Sequence, residues 1–205
     1  ASFVLENVNY KFERGLFYSI VGESGVGKTT LLKLISEMDK RYSGEIKFSF
    51  ESISNQKISY AFQSNVLFPW LTIWDNLLIC LESNSIEKIK LVNDLLEKTG
   101  LLSVRKLYPG QLSGGMIQKV NTIRSFINDS ELVLMDEPFA SLDFFQRKEL
   151  QDLTLELQAN FKKTIIFVTH NIHEALSLSN RVLLLSKKDR KFTREYQNCR
   201  GDNYM

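Results

Sequence analysis

Apolar residues along this chain recur at two periods, and the changes of period mark its strands and helices. Val4, Val8, Tyr10 and Phe12 sit among polar neighbours and predict a short antiparallel strand ending near Gly15. Phe17–Val21 (FYSIV) is a compact apolar run that leads into a glycine-rich turn. Over 29–38, Leu31, Leu32, Leu34 and Ile35 form the broad apolar face of a helix. Residues 44–50 and 58–62 predict further strands. From 72 to 100 the spacing becomes helical, through Ile73, Leu77, Leu78 and Leu81 and then Ile86, Ile89, Val92, Leu95 and Leu96. Gly100 stands where a C-terminal cap belongs. Ser113 stands at the N-cap position of a helix over 114–127. Residues 132–135 and Thr164–Thr169 (TIIFVT) predict short buried strands, with a helix over 144–160 between them. A last helix over 172–179 precedes a strand at 181–185.

Strands alternating with helices imply an α/β fold with a mostly parallel core sheet. The helical block from 72 to about 127 interrupts the alternation and reads as an inserted subdomain. The 205 residues suffice for one substantial core, or one core and a small subdomain. Hydrophobic content of 43% and charged content of 24% are those of an ordinary globular protein. A net charge of +2 gives no footprint for nucleic acid. Lys187, Lys188, Arg190, Lys191 and Arg194 are the nearest approach to a basic cluster and read as a solvated tail before a phosphate-binding patch. No apolar run approaches the roughly 18 residues of a membrane span, and no basic-then-apolar leader opens the sequence. Cys80 and Cys199 lack metal-type spacing and read as free thiols in a reducing cytoplasm.

Three motifs carry chemistry. Residues 22–29 read GESGVGKT and fit the phosphate-loop pattern G-x-x-x-x-G-K-[ST]. Gly22, Gly25 and Gly27 permit a tight turn that brings backbone amides close to phosphate, and the helix start adds a favourable dipole. Lys28 can reach the β- and γ-phosphates, and the Thr29 hydroxyl can coordinate magnesium. Alone, this loop does not separate kinases, GTPases and ATPases. Residues 132–138 read LVLMDEP, an apolar strand ending in two carboxylates. Asp136 is suited to hold magnesium, and Glu137 to take a proton from attacking water. The same acidic pair before Pro138 also fits a helix cap. The third motif is LSGGM at 112–116.

Together these residues resemble the nucleotide-binding subunit of an ATP-binding cassette (ABC) transporter. LSGGM is similar to that family's signature motif. The resemblance implies that Ser113, Gly114 and Gly115 cap the γ-phosphate held by an opposing subunit. It implies that Gln63, after ISYAF, senses magnesium and the attacking water. Ser141, Leu142 and Asp143 match the family's D-loop, with Asp143 near nucleotide, and His170 matches its switch histidine. Arg124 matches the arginine of the helix after the signature. The nucleotide-binding set is then Gly22, Glu23, Ser24, Gly25, Val26, Gly27, Lys28, Thr29, Thr30, Phe3, Ser113, Gly114, Gly115 and Asp143. The catalytic set is Glu137, His170, Gln63 and Lys28, and the metal set Thr29, Gln63 and Asp136. The implied fold is that of a P-loop NTPase with N-terminal antiparallel strands. Its RecA-like core comprises 1–63 and 128–205, and a helical subdomain (64–127, including the signature helix) is inserted between the Q-loop at Gln63 and the signature motif.

The resemblance also implies ATP and Mg2+ as ligands and a head-to-tail pair of identical subunits. It implies a place on the cytoplasmic face of the membrane, with an isolated chain that is soluble. Residues 68–77 (FPWLTIWDNL) are similar to the ATPases of nitrate, sulfonate and taurine importers and of thiamine-precursor importers. In that family a coupling helix of the permease meets the surface near 68–74, and a solute-binding protein acts through the permease. Trp70 and Trp74 either line that groove or pack the subdomain core. The sequence departs from the family in two places. Few residues precede Val4, so Phe3 takes the adenine-stacking position ahead of Tyr10. Ile117, Lys119, Asn121 and Thr122 alter the signature helix. The chain stops soon after 181–185, which leaves no room for a regulatory domain. A non-transport or regulatory cassette is the alternative reading. A GTPase would need the N-K-x-D motif, which this sequence lacks.

Overall fold

The computed structural model describes residues 4–49, 57–62, 66–81, 83 and 85–198. Its centre is a six-stranded sheet built from β1 (Phe17–Val21), β2 (Ile58–Ala61), β3 (Leu132–Asp136), β4 (Thr164–Thr169), β5 (Arg181–Leu185) and β6 (Phe192–Gln197). The order across the sheet is β2-β3-β4-β1-β5-β6. The first five strands run parallel, and only β6 is antiparallel, paired with β5. The near-continuous apolar runs of β1, β3 and β4 follow from this, because a parallel sheet is covered on both faces.

Side chains alternate between those faces. Phe17, Val133, Met135, Ile165 and Phe167 join one core. Tyr18, Ile20, Leu132, Leu134, Ile166 and Val168 join the other. The first core is closed by α2 (Ile73–Leu78), α3 (Ile86–Lys98), α4 (Gly114–Ile127) and α5 (Phe144–Phe161). The second is closed by α1 (Lys28–Ile35) and by Val8, Tyr10 and Phe12. The remaining helix, α6 (Ile172–Leu178), packs on β1 and β4.

Local chemistry sets the helix ends. Thr72, Ser85 and Ser113 each accept a backbone N–H from three residues ahead, which caps α2, α3 and α4. At the end of α3, Gly100 adopts φ 72°. Its N–H donates to Glu97 O at 3.0 Å, and that of Leu101 donates to Leu96 O at 2.7 Å. This paired closure leaves Leu101 buried against the helix it ends.

Three expectations change. Residues 4–16 form no strand. Tyr10 and Phe12 instead pack edge-to-face with each other and with Tyr18, at centroid distances of 4.8 to 6.0 Å. The antiparallel strands expected at the N-terminus are therefore replaced by an aromatic strap, and the only antiparallel ladder of the described residues is β5–β6. Residues 44–49 form no strand either, although Phe48 packs against the second core. The basic residues 187–194 are not a tail. They span a tight turn and β6, where Arg190 pairs with Glu6 at 2.6 Å.

Candidate active site

Strand register assembles the site. β4 lies between β1 and β3, with Val21 opposite Thr169 and Asp136 opposite Val168. The residues that follow, Gly22, Glu137 and His170, therefore emerge on one rim at the C-terminal edge of the sheet, where open parallel sheets hold ligands.

Residues 22–27 wrap from β1 into α1. Gly27 is the left-handed N-cap of α1, with φ 107°, and a Cβ there would lie 2.8 Å from Val4 Cγ1. A Cβ on Gly22 would lie 2.6 Å from the Leu185 carbonyl oxygen. Either addition would push the loop off its support, so its shape depends on these glycines. Lys28 is buried, and its ammonium donates to Gly22 O at 2.8 Å and Glu23 O at 3.0 Å. Burial lowers its pKa, and the Glu137 and Asp136 carboxylates oppose that shift.

Asp136 is buried at the end of β3, and each of its oxygens accepts one hydroxyl. Thr29 Oγ1 donates to Oδ1 at 3.0 Å, and the Tyr60 phenol donates to Oδ2 at 3.1 Å. Burial, and then the Asp136 charge, holds the Tyr60 phenol well above its ordinary pKa. Among the described residues no group of three or more His, Cys, Asp or Glu side chains is placed to hold a metal. A threonine hydroxyl beside one carboxylate instead suits a small hard cation that takes its remaining ligands from phosphate and water.

Glu137 adopts φ 44°. A non-glycine residue rarely takes this left-handed conformation, and it costs about 1–3 kcal/mol where it persists. Two backbone bonds hold it here, from Glu137 N to Val168 O at 3.1 Å and from Ala140 N to Glu137 O at 3.2 Å. Its Oε2 lies 2.9 Å from His170 Nδ1. A carboxylate and an imidazole thus stand together on the rim.

Behind them is a cavity of about 50 Å³ whose lining includes Arg147, Thr169 and Glu174. Thr169 Oγ1 donates to Glu174 Oε2 at 2.8 Å, Arg147 Nε lies 3.6 Å from Glu174 Oε1, and Arg147 Nη2 donates to Leu142 O at 3.0 Å. These contacts tie the segment bearing His170 to the segment bearing Ser141, Leu142 and Asp143. Asp143 itself caps α5, accepting from Gln146 N at 2.9 Å.

Ser113, Gly114 and Gly115 open α4, and Gly115 faces the side chain of Gln146. Among the described residues no hydrogen bond or ion pair joins them to 22–30. Further along α4, Arg124 donates to Val66 O at 2.8 Å and to Cys80 Sγ at 3.0 Å, and it lies 5.1 Å from the Phe68 ring centroid. Gln63 and Phe3 fall outside the described residues. Sequence reasoning missed Tyr60, Arg147 and Glu174. Only Tyr60 left a signal, since on β2 it shares the face that ends in Asp136 on β3.

A family model described as ABC transporter matches residues 5–140. The chain belongs to the ABC transporter family. It is 39% identical over 190 residues to the aliphatic sulfonates import ATP-binding protein SsuB of Bacillus subtilis (strain 168), covering 92% of this chain and 74% of that protein. It is 42% identical over 189 residues to the ergothioneine transport ATP-binding protein EgtV of Helicobacter pylori (strain G27), covering 88% and 89%. Among solved structures it is similar to the dimeric ATP-binding cassette MJ0796 in a post-hydrolysis state bound to ADP and Pi. The TM-score is 0.78 at 30% identity, covering 95% of this chain and 90% of that one. The fold is therefore that of an ABC ATPase cassette, an α/β P-loop NTPase. No described helix is long and apolar enough to cross a membrane.

Proposed function

We propose that this ABC cassette binds and hydrolyses ATP to drive import of an organic sulfonate through a separate membrane permease. The observation that carries the ATPase reading is the strained Glu137, whose carboxylate is held 2.9 Å from His170 Nδ1 on the same rim as Lys28 and the Thr29–Asp136 pair. The cargo class follows the sulfonate importers to which the chain is similar.

In this reading, residues 22–30 cradle the β- and γ-phosphates of ATP. Lys28 exchanges its loop carbonyls for phosphate oxygens and neutralises charge that builds on the γ-phosphoryl group. Thr29 and Asp136, with Gln63, hold Mg2+, which when bound neutralises phosphate charge. Glu137 accepts a proton from the attacking water, and His170 orients that carboxylate and meets the γ-phosphate. Phe3 stacks on the base.

Two copies pair head to tail in this reading, which the dimeric state of the similar cassette MJ0796 supports as far as pairing goes. Ser113, Gly114 and Gly115 of one copy then close on the nucleotide of the other, with Asp143 beside it. The helical segment 64–127 moves as a subdomain against the core of 1–63 and 128–205. That motion reaches the permease near 68–74, and a solute-binding protein delivers the cargo on the far side. The chain then works on the cytoplasmic face of the membrane.

The test compares ATP turnover of the purified chain with that of Glu137→Gln, with size-exclusion profiles in Mg-ATP. Turnover should fall about 100-fold or more, since general-base catalysis contributes roughly 10²–10⁴-fold, and the variant should persist as an ATP-dependent dimer. Normal turnover in Glu137→Gln would overturn the assignment of the base. Binding without turnover in both proteins would favour a regulatory cassette.

A further inference from the structure

Tyr60 carries a hydroxyl that packing does not require. Its ring stacks near Phe62 at a centroid distance of 4.2 Å and packs against the core that contains Leu134 and Val168. A phenylalanine would fill the same space. A buried phenol needs a hydrogen-bond partner to offset its desolvation, and here the partner is Asp136 Oδ2 at 3.1 Å. Register explains the reach. Tyr60 pairs with Leu134 on β3, so it shares the face on which Asp136 lies two residues further along.

The final torsion of an aspartate is broad and only weakly restrained. One hydroxyl on each oxygen removes that freedom at Asp136, with Thr29 on Oδ1 and Tyr60 on Oδ2. We infer that Tyr60 is a positioning residue for the cation site: its hydroxyl fixes the rotation of the Asp136 carboxylate and keeps Oδ1 turned towards the Thr29 hydroxyl. The inference rests on the ATPase reading above. Outer-shell partners of metal-binding carboxylates typically change metal affinity about 10–100-fold when removed.

The test is Tyr60→Phe in the full chain, with Mn2+ as the spectroscopic probe and a non-hydrolysable ATP analogue as the nucleotide. Electron paramagnetic resonance should show Mn2+ affinity for the protein–nucleotide complex lowered about 10-fold. Half-saturating Mg2+ for turnover should rise in parallel, while metal-free nucleotide affinity and unfolding temperature stay at the wild-type values. Unchanged Mn2+ affinity would overturn the inference. A loss of metal-free nucleotide affinity would do so as well, because the hydroxyl would then serve the fold and not the carboxylate. If the wild-type chain showed no nucleotide-dependent Mn2+ site, the ATPase reading itself would fail.

Discussion

Asn76 has no exposed surface, and its amide closes the turn that leads into α2. Its Oδ1 accepts from Phe68 N at 2.8 Å, and its Nδ2 lies within 3.1 Å of the carbonyl oxygens of Phe68, Leu71 and Thr72. Truncation strands these backbone groups, at about 1–3 kcal/mol for each one left buried and unpaired. Asn76→Ala should therefore lower unfolding free energy by about 2–3 kcal/mol, read from urea unfolding. A loss within error would show that solvent replaces the amide. The sequence did not display Asn76 as important, because it acts through a backbone turn that no local pattern encodes, and the signal at Tyr60 becomes readable only once β2 is known to pair with β3. Lys28, Thr29, Asp136, Glu137 and His170 were legible for the opposite reason. Each lies at the end of an apolar strand, in the loop that follows one or at the start of the helix after that loop, so position along the chain already implied position on the rim. Arg147 and Glu174 were hidden because their meeting depends on how α5 and α6 are rotated.

At the scale of elements, Lys163 joins the start of β4 to the end of α4. It is buried, and its ammonium donates to Asn128 O at 2.6 Å, Asn128 Oδ1 at 3.0 Å and Ser130 Oγ at 3.0 Å. Burial pushes its pKa down to about 8 from 10.5, with Asp129 opposing. Between those values the unfolded chain binds more protons than the folded one, so stability rises with pH across that window and is lost again as pH falls through about 8. Wild type should gain on the order of 2 kcal/mol relative to Lys163→Met between pH 7.5 and 10.5, at about 1.4 kcal/mol per pKa unit less an allowance for residual hydration. Parallel pH profiles in chemical denaturation would contradict this. Elsewhere the elements followed the pattern of the sequence closely: β4, β5 and α4 fall where periodicity put them, since burial on both faces or a clear N-cap marks each. The aromatic strap over 4–16 misled because one-sided burial produces the same alternation as a strand. β6 was invisible because FTREYQ is mostly exposed, and its ladder with β5 leaves no apolar period.

Across the whole molecule, one continuous core runs from the sheet face into α2, α3 and α4. The two tryptophans of 68–77 divide there. Trp74 packs against that core under Arg105, whose guanidinium lies 5.4 Å from the ring centroid. Trp70 is 70% exposed and touches the Phe68 ring at 5.5 Å. Trp70 therefore has little to hold within this chain, and the proposed permease contact gives it a role. Trp70→Ala should leave the unfolding temperature and turnover of the isolated chain within error of wild type. ATP-driven uptake in vesicles carrying the complete importer should fall several-fold. Unimpaired uptake would remove Trp70 from that interface.

Lys28 spends its ammonium on the carbonyls of its own loop, at 2.8 and 3.0 Å. The loop is thus an internal competitor for its own cation. In the proposed reading, arrival of a triphosphate is a swap of partners, and only the difference between the two sets of bonds contributes to affinity. The same swap runs in reverse when the products leave, since the departing phosphates hand the ammonium back to oxygens already in place. A cassette that must reset after every stroke gains from this, because no stage of the cycle leaves a desolvated charge without a partner.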